Sequence, residues 1–238
     1  MAQLTNWLVK LIRWSKMAQQ PLPETQYPTP AEERILSAAT REFADKGFFG
    51  ARTQAIADAA GVNKAMLHYY FRSKENLYAQ VLRSSISRIL SQVGRSWTGA
   101  GSLETKVSLV IDAYLDGYAA NPGIVRIFLR EVADGGVRFR RLVKEIVPPD
   151  LADQGISPAI ILAAVGRQLN LPPRQIMHYL VNLVGMCLIS FISPIVLETV
   201  LQEDLTDFNA YLEERRQSIK NVALTFLQSK GLLDSSLD

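Results

Sequence analysis

Residues 53–74 read TQAIADAAGVNKAMLHYYFRSK, and two short helical patterns meet within them at Ala60-Gly61-Val62. Thr53 is a good N-cap, and apolar side chains then follow at three- and four-residue spacing as far as Ala60. Gly61 can adopt the positive φ that ends a helix, and Val62 can fill the corner that follows. The sequence therefore predicts two short helices joined by a sharp turn.

The second of these helices, which begins after Asn63, has one apolar and one polar face. Leu67 and Phe71 are expected to be buried, which leaves the opposite face to the solvent. That outward face carries Lys64, Ala65, His68, Tyr69 and Tyr70. The two tyrosines, the histidine and the lysine can hydrogen-bond phosphate oxygens and base edges, and a short helix fits the major groove of DNA. The alternative is an ordinary solvated face, which two adjacent aromatic residues beside a lysine disfavour.

The segments on either side of this motif also have helical patterns. Upstream, apolar residues recur at helical spacing from about Pro30 to Lys46, and Gly47 is expected to end that helix. Downstream, Ser73 is a good N-cap, and Leu77 begins the apolar stripe of a longer helix. A small apolar core would hold these helices together. Its expected members are Phe43, Ile56, Val62, Leu67 and Phe71.

Three linked patterns occur here in order. They are Ala38-Ala39-x3-Phe43-x3-Gly47, then Thr53-x2-Ile56-Ala57-x3-Gly61-Val62, then Leu67-x2-Tyr70-Phe71-x2-Lys74-x2-Leu77. Together they resemble the TetR/AcrR family of one-component transcriptional regulators over roughly fifty residues. The resemblance implies an all-α homodimer that binds a palindromic operator, most often as a repressor. It also implies an N-terminal three-helix helix-turn-helix domain followed by a helical ligand-binding and dimerisation domain.

The resemblance also implies a set of DNA-contacting residues. They are Thr53, Gln54, Asn63, Lys64, Ala65, His68, Tyr69, Tyr70 and Lys74. By their chemistry, Thr53, Tyr69, Tyr70 and Lys74 are expected to bind phosphates. Gln54, Lys64 and His68 are better suited to base edges. The sequence departs from the family pattern at Met66, where a small hydroxyl residue is common, and at His68, which replaces the usual first tyrosine.

Charge is concentrated near this motif. Residues 51–74 hold four basic residues against Asp58, a net charge of +3, which equals the net charge of the whole chain. The first seventeen residues add another +3, so the remainder sums to −3. This distribution favours salt-dependent binding to DNA over a generally cationic surface.

Length and composition set the domain organisation. With 238 residues and 48% hydrophobic content, the chain can form more than one core. We expect an arm and proline-rich linker at 1–29, a DNA-binding domain at 30–78 and a helical ligand-binding and dimerisation domain at 79–238. The single cysteine, Cys187, excludes an intrachain disulfide and fits the cytoplasm.

Enzymatic and metal-binding functions have little support in the sequence. The two histidines, His68 and His178, are more than a hundred residues apart, and Cys187 has no partner for a zinc site. No phosphate-binding glycine loop or nucleophile elbow occurs. We therefore expect neither an enzyme nor a bound cofactor or metal.

The first 29 residues precede the predicted DNA-binding domain and have a composition of their own. Residues 4–16 predict a short basic amphipathic helix that could touch DNA or a membrane, and residues 19–30 are proline-rich. Lys10 and Arg13 interrupt the apolar run that a signal peptide needs, so export is not expected. Two interpretations stay open: an auxiliary helix, or an upstream extension of a chain that starts at Met17.

Beyond residue 78 the chain is predicted to be helical. We expect the fourth helix to run through Val93 before the stretch from Gly94 to Gly101 loosens it. The later helices are expected at 103–120, 124–133, 137–147, 158–170, 173–201 and 205–229. By the resemblance, the last two pair across a two-fold axis in a homodimer.

Residues 175–197 allow a different interpretation, because these 23 residues contain no Asp, Glu, Lys or Arg. That length is enough for a membrane span, and together with residues 4–16 it defines the alternative of a membrane-associated helical protein. The segment also contains His178, Asn182, Ser190, Ser193 and Pro194, and no positively charged flank follows it, which favours a helix in the dimer core instead.

The binding site for an effector is expected in the second domain. A small apolar effector, implied by the resemblance, would bind there and release the DNA. Candidate pocket residues are Tyr114, Tyr118, Phe128, Met177, His178 and Met186, with Tyr179 and Phe191 nearby in the pattern. Aromatic and methionine side chains at helical spacing are also typical of plain core.

Overall fold

The computed structural model describes residues 29–146, 171–202 and 205–233. Every regular element within these ranges is helical, which confirms the all-α prediction. The α-helices are α1 (Pro30–Gly50), α2 (Thr53–Ala60), α3 (Lys64–Phe71), α4 (Lys74–Thr98), α5 (Leu103–Ala120), α6 (Pro122–Ala133), α7 (Val137–Ile146), α8 (Pro173–Ile189), α9 (Ser193–Val196) and α10 (Phe208–Ser229), and a π-helical turn covers Leu197–Leu201. The predicted arm at 4–16, the proline-rich segment at 19–28 and the predicted helix at 158–170 lie outside the described residues.

The chain divides into two compact units. The first contains residues 1–98 and 126–142, and the second contains residues 99–125 and 143–238. The helix α6 begins in the second unit, and from Arg126 onward its residues belong to the first. Residues 126–142 therefore accompany the helix-turn-helix segment although they are distant from it in sequence.

Helix α1 begins with a capping box. The side chain of Thr29 accepts a hydrogen bond from the backbone N–H of Glu32, and the Glu32 carboxylate accepts one from the backbone N–H of Thr29. At the other end, Gly47 has φ 69° and ψ 175°, so the helical backbone is interrupted there and resumes for one further turn to Gly50. The prediction that Gly47 stops the helix is confirmed in its backbone geometry.

The first unit has an apolar core around α1. Phe43 and Ile56 are fully buried, and the Phe43 ring meets the Tyr78 ring edge to face at 4.8 Å. Leu67 and Phe71 are buried as predicted, whereas Val62 is only half-buried. These residues fix the relative positions of α1 to α4.

The predicted end of the fourth helix is wrong. Helix α4 continues through Gly94 to Thr98. One glycine inside a helix costs about 1 kcal/mol relative to alanine, and it leaves the backbone hydrogen bonds in place. Ile89, five residues before the glycine, is buried, and the backbone stays helical from there to Thr98.

The predicted single helix at 173–201 is also wrong. Helix α8 ends at Ile189, and the chain bends by 60° before the segment Ser193–Val200. Pro194 lacks a backbone N–H and restricts the residue before it, so it starts a new helix more readily than it continues one. No single helix in the described ranges is long and apolar enough to cross a membrane, and only the bent pair Arg174–Ile189 with Ser193–Val200 passes that test together.

Helices α5, α8 and α10 pack on one another in the second unit. Their buried residues include Ile111 and Leu115 of α5, Leu183 of α8 and Ile219 of α10. Tyr179 donates a hydrogen bond from its hydroxyl to the carbonyl of Ala223 (3.3 Å), which ties α8 to α10 within this core.

A charged cluster joins α5 to α10 beside this core. Arg216 contacts Asp112 (2.7 Å), Asp116 (2.7 Å) and Glu213 (3.0 Å), and Lys220 contacts Asp112 (2.8 Å). Although burial lowers the pKa of Arg216, the hydrogen bonds and charges of Asp112 and Asp116 raise it further. Arg216 therefore stays charged and bridges the two helices.

Candidate nucleic-acid interface

The turn between α2 and α3 has the backbone that the sequence predicts. Gly61 has φ 64° and ψ 39°, and its N–H donates to the carbonyls of Ala57 and Asp58. The N–H of Val62 donates to the same Ala57 carbonyl at 3.0 Å. A residue with a Cβ would be strained at this φ, so glycine is the favoured residue at the corner.

Asn63 starts α3. Its side-chain oxygen accepts a hydrogen bond from the backbone N–H of Met66 at 2.7 Å, which satisfies one free donor of the first turn. This contact gives Asn63 a structural role in addition to its place near the exposed end of the helix. The other free N–H groups of the first turn, with the partial positive charge of the helix end, can accept a phosphate.

Helix α3 presents most of its polar side chains to the solvent. Lys64, Ala65 and His68 are exposed, and Tyr69 is 67% exposed. Tyr70 is half-buried, and its ring lies between Tyr69 (5.4 Å between centroids) and Phe71 (6.3 Å). The structure thus brings these residues to one side of a helix whose other side is buried.

Arg72 extends this surface and was missed by the sequence reasoning. Its guanidinium lies 5.7 Å from the centre of the Tyr69 ring, within range of a cation–π interaction. Its backbone has φ 61° and ψ −49°, a conformation that non-glycine residues rarely adopt. Its charge and its position between the helix and the Ser73 cap were the only available signals.

The beginning of α2 differs from the prediction. The N-cap is Arg52, whose side chain makes no capping hydrogen bond, and Thr53 is the first helical residue. The prediction of Thr53 as N-cap is therefore wrong by one residue. The chain continues from the end of α1 in an extended conformation at Ala51 and Arg52. The cap is therefore one residue earlier in the sequence than predicted. The next residue, Gln54, is exposed and donates from Nε2 to Asp58 Oδ1 at 2.8 Å.

Lys74 lies where α4 begins and reaches back to the end of α1. Its ammonium donates to the carbonyl of Phe49 at 3.2 Å and lies 5.1 Å from the centre of the Phe48 ring. An ammonium has three donors, so two are left for a ligand. Ser73 caps the helix through a bond from the Asn76 N–H (3.1 Å), as predicted.

A buried carboxylate organises residues 126–142 within the first unit. Glu131 is 1% exposed and accepts hydrogen bonds from the Tyr78 hydroxyl (3.0 Å), from Arg138 Nη1 (2.9 Å) and from the Phe139 N–H (3.3 Å). Burial, then the charge of Glu131, raises the pKa of the Tyr78 hydroxyl. No sequence signal connected Glu131 with Tyr78, because 53 residues separate them.

The candidate effector residues are divided between the two units. Phe128 belongs to the first unit and packs edge to face on Phe139 at 5.2 Å. Within the second unit, Tyr114, Tyr118 and Phe191 form a row of ring contacts, with centroids 6.1 Å and 5.7 Å apart. Burial raises the pKa of both tyrosines.

The other candidates lie along α8. Met186 is half-buried, and Met177 and His178 are exposed. His178 and Tyr179 contribute to an open groove of about 160 Å³, which is smaller than the roughly 300–1,000 Å³ of typical ligand pockets. The groove is lined by Gln175, His178, Tyr179, Asn182, Phe226 and Lys230. Cys187 is buried, and burial raises the pKa of its thiol to about 12.

Titratable side chains do not form a metal site in the described ranges. There, no group of three or more His, Cys, Asp or Glu residues is placed to hold a metal ion. The buried carboxylates have cationic partners instead, as Glu131 has in Arg138.

Comparisons with known proteins match the first unit closely. Residues 35–81 match the family described as bacterial regulatory proteins, tetR family. The regulator RutR of Escherichia coli K12 is 54% identical over 52 residues, which are 22% of this chain and 24% of RutR. The activator FasR of Mycolicibacterium smegmatis is 32% identical over 90 residues, which are 37% of this chain and 41% of FasR. The chain thus spans less than half the length of these relatives, and the names of other relatives include repressors.

A solved structure extends the likeness to most of the fold. FadR of Bacillus subtilis, in complex with stearoyl-CoA, aligns with a TM-score of 0.55 at 17% identity, covering 79% of this chain and 96% of FadR. At this identity the likeness concerns the fold alone. The family match is confined to residues 35–81, and this segment, which contains the glycine-cornered helix pair, is similar to the tetR family of bacterial regulatory proteins.

Proposed function

We propose that this protein is a transcriptional regulator that binds operator DNA through α3 and is released by a small-molecule effector. The observation that carries the proposal is that one side of α3 is buried and the other is exposed. Leu67 and Phe71 are buried, while Lys64, His68 and Tyr69 are exposed on a helix of eight residues that fits a major groove. A soluble domain gains nothing from an exposed aromatic and cationic face unless a partner covers it.

Roles within this interface follow from side-chain chemistry. Lys64 and His68 project from exposed positions and are the candidates for base edges, lysine favouring guanine acceptors. Gln54 joins them once its amide leaves Asp58, since a bidentate contact with adenine needs that nitrogen. Thr53, Tyr69, Tyr70 and Lys74 are proposed phosphate contacts, with Asn63 and Ala65 at the DNA-facing start of α3.

We infer that the regulator acts as a homodimer on a palindromic operator. Apolar side chains stay exposed on the two long helices of the second unit, among them Val181 (62%) and Ile189 (46%) on α8 and Val222 (54%) on α10. Pairing these helices with those of a second copy would cover that surface, and the two copies of α3 in such a dimer would match the two half-sites of a palindrome.

The proposed effector is small and mainly apolar. Support comes from the row of Tyr114, Tyr118 and Phe191 in the second unit, and from the FadR structure of similar fold, whose stearoyl-CoA ligand carries a long apolar acyl chain. To switch occupancy decisively, the effector must favour the released state by several kcal/mol over the DNA-bound state. We propose repression as the output, through occupancy of a promoter.

Operator selection tests the DNA-binding part. Genomic fragments bound by the purified protein would be recovered and sequenced, and binding of the best fragment would be compared with a random duplex of equal length. The expected result is a palindromic site bound at least about 1,000-fold more tightly than the random duplex. Equal affinity for both duplexes, with a folded dimer verified, would contradict the proposal.

A titration then tests the effector and the sign of regulation. Long-chain fatty acids and acyl-CoA esters would be titrated calorimetrically into the free protein and into its operator complex. A coupled effector must bind the free protein more tightly, because linkage is reciprocal. Transcription in vitro from the selected promoter should fall on adding protein and recover on adding effector; a rise on adding protein would make it an activator.

A further inference from the structure

The hairpin of α6 and α7, residues 126–142, changes the charge of the first unit. It holds five arginines against Glu131 and Asp134, a net charge of +3. With residues 29–98, which carry +4, the described part of the first unit reaches +7, whereas residues 99–125 and 143–238 sum to −6. The chain therefore adds basic residues to its DNA-binding unit from a segment outside the helix-turn-helix motif.

Three of these arginines attach the hairpin to the end of α1. Arg126 Nη1 contacts Asp45 Oδ1 at 3.1 Å, and Arg130 Nη2 donates to the Asp45 carbonyl at 3.0 Å. The guanidinium of Arg138 lies 4.3 Å from the centre of the Phe48 ring while also contacting Glu131. These contacts hold the hairpin against the residues that lead into α2.

The other two arginines have no such role. Arg140 and Arg141 are exposed, and neither makes an ion pair or a side-chain hydrogen bond within the described part of the chain. Arg141 lies one turn beyond Arg138, so the two are neighbours on the surface of α7. Their charges remain available to a partner.

The position of this surface is set by shared contacts. Phe48 is approached by Arg138 of the hairpin and by Lys74, whose ammonium lies 5.1 Å from the same ring. Lys74 is a proposed phosphate contact at the edge of the α3 interface. Arg141, one turn from Arg138, therefore lies on the side of α7 that approaches Phe48 and Lys74, and Arg140 adds a second exposed charge beside it on the helix.

We propose that Arg140 and Arg141 bind the phosphate backbone of the duplex flanking each operator half-site, outside the groove that α3 enters. This inference rests on the proposed function, because it needs DNA as the occupant. Charge complementarity and continuity with Lys74 favour a duplex, and guanidinium groups pair with phosphate oxygens in bidentate geometry. Such contacts add affinity and salt dependence without adding base specificity.

The test compares two double variants of the full-length protein. R140Q/R141Q removes the free charges of α7, and R88Q/R95Q removes two exposed arginines of α4 from the same unit. Binding would be measured by fluorescence anisotropy from 50 to 200 mM salt on three duplexes. These are the selected palindrome alone, the palindrome with ten added base pairs on each side, and a random duplex of that longer length.

If Arg140 and Arg141 bind the flanking phosphates, the two double variants should differ in affinity and in salt dependence. Wild-type protein should bind the flanked palindrome more tightly than the bare one, and R140Q/R141Q should bind both equally. The slope of log affinity against log salt on the long duplexes should fall by about 2 per protomer, since each neutralised phosphate contributes about 0.9. R88Q/R95Q should keep both the wild-type slope and the flank preference.

The outcomes separate this inference from the proposed function. If R140Q/R141Q has the same salt slope and the same preference for flanked duplexes as R88Q/R95Q, then Arg140 and Arg141 do not bind the flanking phosphates. Operator selection can still succeed in that case. If no palindrome is selected, the proposed function fails, and the random duplex still tests the hairpin, because non-specific binding is governed by phosphate contacts. Circular dichroism spectra of both variants check that they are folded.

Discussion

The cations of α3 and those of α10 occupy opposite environments. Arg216 on α10 is 15% exposed and contacts three carboxylates, whereas Lys64 on α3 is exposed and has no acidic partner among the described residues. Removing one partner of a shielded charge pair destabilises a fold because the other charge is left unpaired, while unpaired exposed charges contribute little to folding and are available to a ligand. The α10 cluster therefore has a structural role, whereas the exposed cations of α3 are the proposed DNA contacts.

Breaking the α10 cluster should give the largest effect on stability. Arg216→Gln leaves Asp112 partly buried with only Lys220 as a partner, and we expect a loss of about 3 kcal/mol in the free energy of unfolding, measured by urea denaturation. Asp116→Asn is the control, since that carboxylate is 61% exposed and should cost less than about 1 kcal/mol. Equal losses in the two variants would show that burial does not decide the outcome.

Glu131→Gln tests a paired cation of the first unit, Arg138, by removing the charge of its partner. The substitution keeps the shape of the side chain but removes the charge that faces Arg138, so a loss of about 2 to 3 kcal/mol in unfolding free energy is expected. Tyr78→Phe removes only one hydrogen bond to the same carboxylate and should cost about 1 kcal/mol. A Glu131→Gln protein as stable as the Tyr78→Phe protein would mean that the ion pair adds nothing.

Lys64→Ala should affect binding and leave folding unchanged. We expect a loss of about 2 kcal/mol, or about 30-fold, in affinity for the selected operator and a smaller loss on a random duplex, because a base contact is removed. The urea midpoint should not move. Arg88→Gln, which removes one exposed charge from α4, should leave the ratio of the two affinities at its wild-type value. A ratio unchanged in Lys64→Ala would identify Lys64 as a phosphate contact.

Local patterns in the sequence were enough to predict the helix-turn-helix segment. Gly61 and Ser73 act through neighbouring backbone, so residue type and spacing carry the needed information, and both have the predicted roles. Helix ends that depend on packing were harder: α4 continues past Gly94, and α8 stops before Pro194. A glycine costs a helix only about 1 kcal/mol and can be tolerated, whereas a proline costs about 3 kcal/mol or more and breaks the helix here.

Contacts between distant segments could not be predicted from the sequence. Glu131 meets Tyr78 across 53 residues, and Arg216 meets Asp112 across 104. Residues 213–216 are two glutamates followed by two arginines, a pattern typical of a solvated helix face. Nothing local distinguishes that pattern from a cluster that bridges two helices, since the acids that complete it lie on α5.

Arg72 is the residue for which binding and stability should change in opposite directions, although the effect is small. Its φ of 61° is strained for arginine and unstrained for glycine, so Arg72→Gly should stabilise the fold by about 1 kcal/mol, less the added entropy of glycine in the unfolded chain. The same change removes the charge beside the Tyr69 ring and should weaken operator binding. Arg72→Ala isolates the two effects, because alanine loses the side chain but keeps the backbone strain. We expect both variants to bind DNA equally weakly and only Arg72→Gly to gain stability in urea denaturation. If the alanine variant is as stable as the glycine variant, the backbone at this position stores no strain, and the arginine is held there at no cost to the fold.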